Sequence, residues 1–143
     1  MVSHAGAALW LHQLPHGEPF WGDCEFIFDR AARDYDWLVA YEDVSPLPGQ
    51  TRHTANEVLA CPREHTLFVT AEPSSVKHYG RLFTGQFGVI LTSQEDWALP
   101  HPDRIFSYPP IHWFYGISGG SPVPFDEIAS GDRLTKHADL SMV

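Results

Sequence analysis

Apolar residues fall in short runs whose spacing changes along the chain. Residues 66–70, Thr-Leu-Phe-Val-Thr, form a mostly apolar run that ends in Ala71-Glu72-Pro73-Ser74-Ser75. That is the pattern of a strand buried on both faces and closed by a turn. Four further runs predict strands: CEFIFD (24–29), DWLVAYED (36–43), GVILTSQ (88–94) and DRIFSYPP (103–110). Between them the period shifts towards that of a helix. TANEVLACP (54–62) places Thr54 as a cap, Glu57 three residues on and Pro62 as a stop. SSVKHYGRLFTGQF (74–87) opens on serines that can cap and carries Val76, Tyr79 and Phe83 on one helical stripe.

Strands alternating with short helices predict an α/β fold: a Rossmann-like, mostly parallel sheet flanked by short helices. Residues 1–19 read as an N-terminal tail and lead-in, and residues 20–143 as a single α/β domain. In such sheets ligands bind beyond the carboxyl ends of the strands. Glu42 and Asp43, Glu72, and Ser93 through Glu95 fall at such ends. Glu72 is the informative one, because a charge followed at once by a rigid proline is not what a plain loop requires. It reads as a helix-terminal acid or as a general base. Partial burial beside apolar residues raises a carboxyl pKa and suits it to proton abstraction near neutral pH.

The totals narrow the setting. A chain of 143 residues supplies one domain with an ample core. The net charge of −9 argues against a nucleic-acid backbone or an anionic membrane as the main partner. No apolar stretch approaches the length of a membrane span, and no signal peptide is recognisable at the N-terminus. Cys24 and Cys61 read as two buried thiols of a cytoplasmic protein. Nine histidines occur without an H-E-x-x-H pattern or cysteines at zinc spacing, so no metal and no other cofactor is expected. No G-x-S-x-G elbow and no Gly-rich phosphate cradle is present either.

Three segments, taken in order, carry a resemblance. LFVTAEP (67–73), QFGVILTSQEDW (86–97) and RIFSYPPIHWFYG (104–116) together resemble the N-terminal half of glycosyltransferase family 10, the α-1,3/4-fucosyltransferase-like proteins, over roughly residues 20–143. Ala71 stands where the family usually has Gly. The resemblance implies one half of a two-domain GT-B fold. It implies an inverting transfer of a sugar, fucose by analogy, from a GDP-sugar to a glycan hydroxyl. The family's proposed general base carries over to Glu72. Trp97, Trp113, Tyr115, Ser93 and Glu95 become candidate contacts to the acceptor glycan. In the family a stretch like TKHADLSMV (135–143) opens the donor half. The resemblance therefore implies that the GDP-sugar is met only through a C-terminal domain missing from this chain, and that the chain alone does not turn over.

Two other readings compete with this one. A stand-alone, non-catalytic α/β binding module needs no donor half. A hydrolase needs a second acid facing Glu72, for which Asp43 and Glu95 are the candidates.

Overall fold

In a computed structural model, residues 1, 6–51, 56–108 and 123–130 are described. Their centre is a sheet of four parallel strands: β3 (Leu38–Tyr41), β4 (Thr66–Val69), β5 (Val89–Thr92) and β6 (Arg104–Phe106). Before it come helix α1 (Ala7–Leu11) and a small antiparallel hairpin of β1 (Phe20–Trp21) and β2 (Cys24–Glu25). Helix α2 (Arg81–Thr84) lies between β4 and β5, and α3 (Phe125–Ala129) follows β6. The strands are hydrogen-bonded in chain order, β3-β4-β5-β6, with Phe68 opposite both Ala40 and Ile90. A doubly wound Rossmann sheet reverses this order at a switch point; among the described strands there is no reversal.

Each face of the sheet has its own cover. Ala40, Phe68 and Ile90 are fully buried on one face, beneath Tyr79, Phe87 and Leu99, with Val44 and Phe83 packed alongside. These covering residues come from all three crossover connections. Single-handed crossovers between strands paired in chain order must lie on one side. Phe68 stacks on Phe87 at 4.9 Å and meets Tyr79 and Phe83 edge-on. On the opposite face Tyr41, Val69 and Ala71 are buried, and Trp10 of α1 packs edge-on to Tyr41 at 5.0 Å. Near-continuous apolarity in β3, β4 and β5 follows from this double cover.

Several expectations change. CEFIFD contributes only the two exposed residues of β2, outside the main sheet, and Cys24 is exposed; Cys61 alone is a buried thiol. A two-residue arm paired only with another hairpin arm has no second layer to bury it. Residues 54–55 of the expected 54–62 helix lie outside the described residues, and 56–62 are not helical. Residues 74–87 form a turn, an irregular stretch and the four-residue α2 instead of one long helix.

The start of β5 is held tightly against the turn before β4. The Arg63 guanidinium donates to the carbonyls of Gly85 (2.7 Å) and Phe87 (2.9 Å), and the Thr66 hydroxyl accepts from the Gly88 amide at 2.9 Å. A Cβ on Gly88 would lie 2.6 Å from the Arg63 carbonyl oxygen and 2.6 Å from the Glu64 Cα, both rigid backbone. Gly88→Ala should therefore destabilise the fold by about 1–3 kcal/mol. Urea denaturation measures this, and a midpoint equal to that of the wild type would show that the approach is not tight.

Candidate functional site

The carboxyl edge of the sheet gathers a polar network around one buried carboxylate. Glu42 follows β3 directly, is only 7% exposed, and holds a left-handed backbone with φ of 67°. That region is uncommon for a side chain without special constraint. Its amide donates to the Val69 carbonyl at 2.9 Å, which extends the β3–β4 ladder by one rung. Its Oε1 accepts from the Ala71 amide, the Tyr79 hydroxyl and, at 3.3 Å, the Glu72 amide. Its Oε2 takes the Lys77 ammonium at 2.5 Å, and that ammonium also donates to the Glu42 carbonyl at 3.3 Å.

Glu72 stands three residues past β4, a strand flanked on both sides by others. Its backbone is held from two directions. Besides the amide bond to Glu42, its carbonyl accepts from the Gln94 side-chain amide at 2.8 Å, and the same amide group donates to the Lys77 carbonyl at 2.9 Å. Its side chain is half-buried, and among the described residues no hydrogen bond or ion pair ends on its carboxylate. Gln94 is fully buried, with no partner for Oε1 among the described residues. Beneath this layer Thr70 and Thr92 join their hydroxyls at 2.7 Å, and Thr92 Oγ1 accepts the Gln94 amide at 3.0 Å.

Of the other expected site residues, three are described. Ser93 is half-buried, and its Oγ has no partner among the described residues. Glu95 is exposed and accepts the Ser74 hydroxyl at 2.7 Å, so Ser74 ties two loops together and caps no helix. That hydrogen bond, with one from its own amide, holds the Glu95 carboxyl below the usual carboxylate range. Trp97 is 73% exposed on the loop after β5. Trp113 and Tyr115 lie outside the described residues. A cleft of about 650 Å³ opens at the amino ends of β3 and β4, lined by Arg30, Asp36, Trp37, Leu38, Glu57 and Leu67 among others. It touches none of Glu72, Ser93, Glu95 and Trp97.

Among the described residues no three His, Cys, Asp or Glu side chains converge to hold a metal. His12 and His16 are four apart, but His12 ends α1 and His16 has φ of 59° in the following turn, so they share no helical face. Among the described residues no helix is long and apolar enough to cross a membrane.

Sequence reasoning placed Glu42 at a strand end and missed its role, together with Lys77, Tyr79 and Gln94. A signal existed. Lys77 and Tyr79 are alternate residues, and both reach one carboxylate, which an extended chain permits and a helix does not. Comparisons with known protein families, with curated proteins and with solved structures found no match.

The electrostatics of Glu42 follow from this geometry. Burial pushes its carboxyl up, but hydrogen bonds from Lys77, Tyr79 and Ala71, with the Lys77 charge, outweigh burial and leave it below its ordinary value. Burial, and after it the hydrogen bond to Glu42 and the Glu42 charge, push the Tyr79 hydroxyl far above its usual value. A carboxyl lowered in the folded state stabilises the fold above the unfolded value of about 4.3, and that contribution disappears as pH falls through the folded value. The urea midpoint should therefore decline in acid below about pH 5. Glu42→Gln should flatten part of that decline, as read from denaturation curves collected across the acid range. An identical decline in the variant would place the acid sensitivity elsewhere.

Proposed function

We propose that this chain is the acceptor-side domain of a fucosyltransferase-like glycosyltransferase, acting in the cytoplasm on a glycan acceptor, with Glu72 as general base. One observation carries the reading. Glu72 is fixed through its backbone at the carboxyl edge of the parallel sheet, while its carboxylate has no partner among the described residues. A base must be held in direction and left chemically available, and this arrangement does both. In the proposed reaction Glu72 accepts a proton from an acceptor hydroxyl as that oxygen attacks the anomeric carbon. The nucleoside diphosphate of a GDP-sugar leaves from the opposite face, inverting the configuration. One carboxylate suffices for this chemistry, unlike the paired acids of a hydrolase. Of the two acids a hydrolase would need to pair with Glu72, Glu95 is engaged by Ser74, and Asp43 accepts from Ser45 at 3.2 Å. Trp97, exposed on the loop after β5, offers a ring face to a sugar. Binding of the donor is assigned to a further domain.

The cleft at the amino ends of β3 and β4 favours a second reading, a non-catalytic binding module that works through that end of the sheet. One experiment separates the two. In a protein joining this chain to a donor-binding domain, Glu72→Gln should lower kcat with GDP-fucose and the acceptor by about 10²- to 10⁴-fold, with KM for the donor nearly unchanged. Turnover retained in the Gln variant would remove Glu72 from the chemistry. Glycan binding by the 143-residue chain that responds to substitution of Trp37, with no turnover in any joined form, would establish the module.

A further inference from the structure

Glu42 combines four features that ordinary strand-end acids do not share. It is buried, ionised, in a left-handed backbone, and its two oxygens take four donors. Two of those donors are the consecutive amides of Ala71 and Glu72, the last peptide units before the candidate base. The other two, Lys77 and Tyr79, lie on the chain that returns after Pro73. The carboxylate thus sits inside the loop that carries Glu72 and fastens both its ends. A buried anion is costly unless fully hydrogen-bonded, and left-handed geometry costs further free energy in a residue with a side chain. A hydrophobic residue in an ordinary turn would avoid both penalties. Retaining them is explained by what the anion does to its neighbours.

We propose that Glu42 is a positioning residue for Glu72: its carboxylate pins the Ala71 and Glu72 amides and thereby sets where the Glu72 side chain emerges from the sheet edge. The proposal rests on the reading of Glu72 as the base. Glu42 has no role in proton transfer, because its oxygens are occupied by the four donors. The work is divided between two carboxylates from adjacent strands, one spent on holding and one left for reaction. Lys77 is the counter-ion of the holding one, with a side chain 38% exposed and able to turn to water.

The test uses amide hydrogen exchange of the 143-residue chain by NMR, with the Glu72 side-chain carboxyl carbon observed in parallel. Glu42→Gly is the informative variant, because glycine is at ease at φ of 67° and removes the carboxylate without adding backbone strain. Exchange at Ala71 and Glu72 should become faster by about tenfold or more, well beyond any change at the core amide of Ile90. The Glu72 carboxyl signal should move towards its value in the unfolded chain. Glu42→Gln retains an acceptor oxygen for the two amides and Tyr79, and Lys77 can turn outwards. Exchange at Ala71 and Glu72 in this variant should return to within about threefold of the wild type. Should the glycine variant fail to fold, Glu42→Asn replaces it, since asparagine tolerates the left-handed region and is too short to reach Ala71. Unchanged exchange at Ala71 and Glu72 in a folded Gly or Asn variant overturns the proposal. So does an equal acceleration at Ile90, which would make Glu42 a general stabiliser. A Gln variant as loose as the Gly variant overturns it as well. Turnover does not enter this test. Full activity of Glu72→Gln would remove the general-base reading and leave the exchange result standing, whereas unchanged exchange removes the pin whatever Glu72 does.

Discussion

A buried carboxylate must be fully hydrogen-bonded, and at the carboxyl edge of this sheet that requirement dictates the path of a whole connection. Glu42 cannot be desolvated without donors, and its own strand supplies none. They come from β4's continuation and from the chain beyond Pro73. Lys77 and Tyr79, alternate residues of a non-helical stretch, both reach Glu42. The same path delivers the Tyr79 ring onto Phe68 at 5.3 Å, so the polar edge and the apolar core are assembled by one segment. The Tyr79 ring is therefore fixed twice, by its hydroxyl at Glu42 and by its apolar face against Phe68.

The two ends of the sheet are closed by different means. At the amino end two stretches of backbone lie in close approach, with the Arg63 and Thr66 side chains bonding backbone groups and Gly88 admitting the turn before β4. At the carboxyl end the contacts are side chains reaching backbone groups of loops: Glu42 to the amides of 71 and 72, Gln94 to the carbonyls of 72 and 77, and Arg104 to the carbonyl of Gln94. Side-chain clamps of this kind hold irregular backbone in a fixed shape without the repeat of a strand or helix. Ligand sites of parallel sheets form in irregular backbone of that sort.

Strands β3, β4 and β5 were legible because burial on both faces leaves a continuous apolar run with acids or turn residues at its end, whereas β6 is exposed. The place of Glu72 was legible for the same reason, since strand polarity alone puts it on the carboxyl edge. The helix expected over 74–87 was not realised, because its stripe of Val76, Tyr79 and Phe83 fits two geometries. Tyr79 and Phe83 do cover the core, but Tyr79 does so from an irregular stretch and Phe83 from α2, while Val76 is 67% exposed. Only the long-range demand of Glu42 decides between the two, and no local pattern contains it. The misreading of CEFIFD has the opposite cause. Its local pattern is strong, but no second layer lies over that hairpin arm. Nor does sequence separate Glu42 from Asp43. Both are acids at a strand end, and only the left-handed turn at residue 42 directs the first inwards.

That distinction bears on how the edge would work. A carboxylate tied into many hydrogen bonds is held in its charged form and gains little from taking another proton, which makes it a poor base and a good anchor. A carboxylate without partners has the opposite character, but on a free loop its direction would be lost. Placing the two on adjacent parallel strands resolves the conflict, because the ladder sets β3 and β4 in register with Tyr41 opposite Val69. The next residues of each strand then meet across a short and fixed gap. The ladder's spacing brings Glu42 within reach of the Ala71 and Glu72 amides, and Pro73 restricts the chain immediately beyond. The sheet acts as a ruler, and the anchored anion transfers its precision to a loop that has no regular structure of its own.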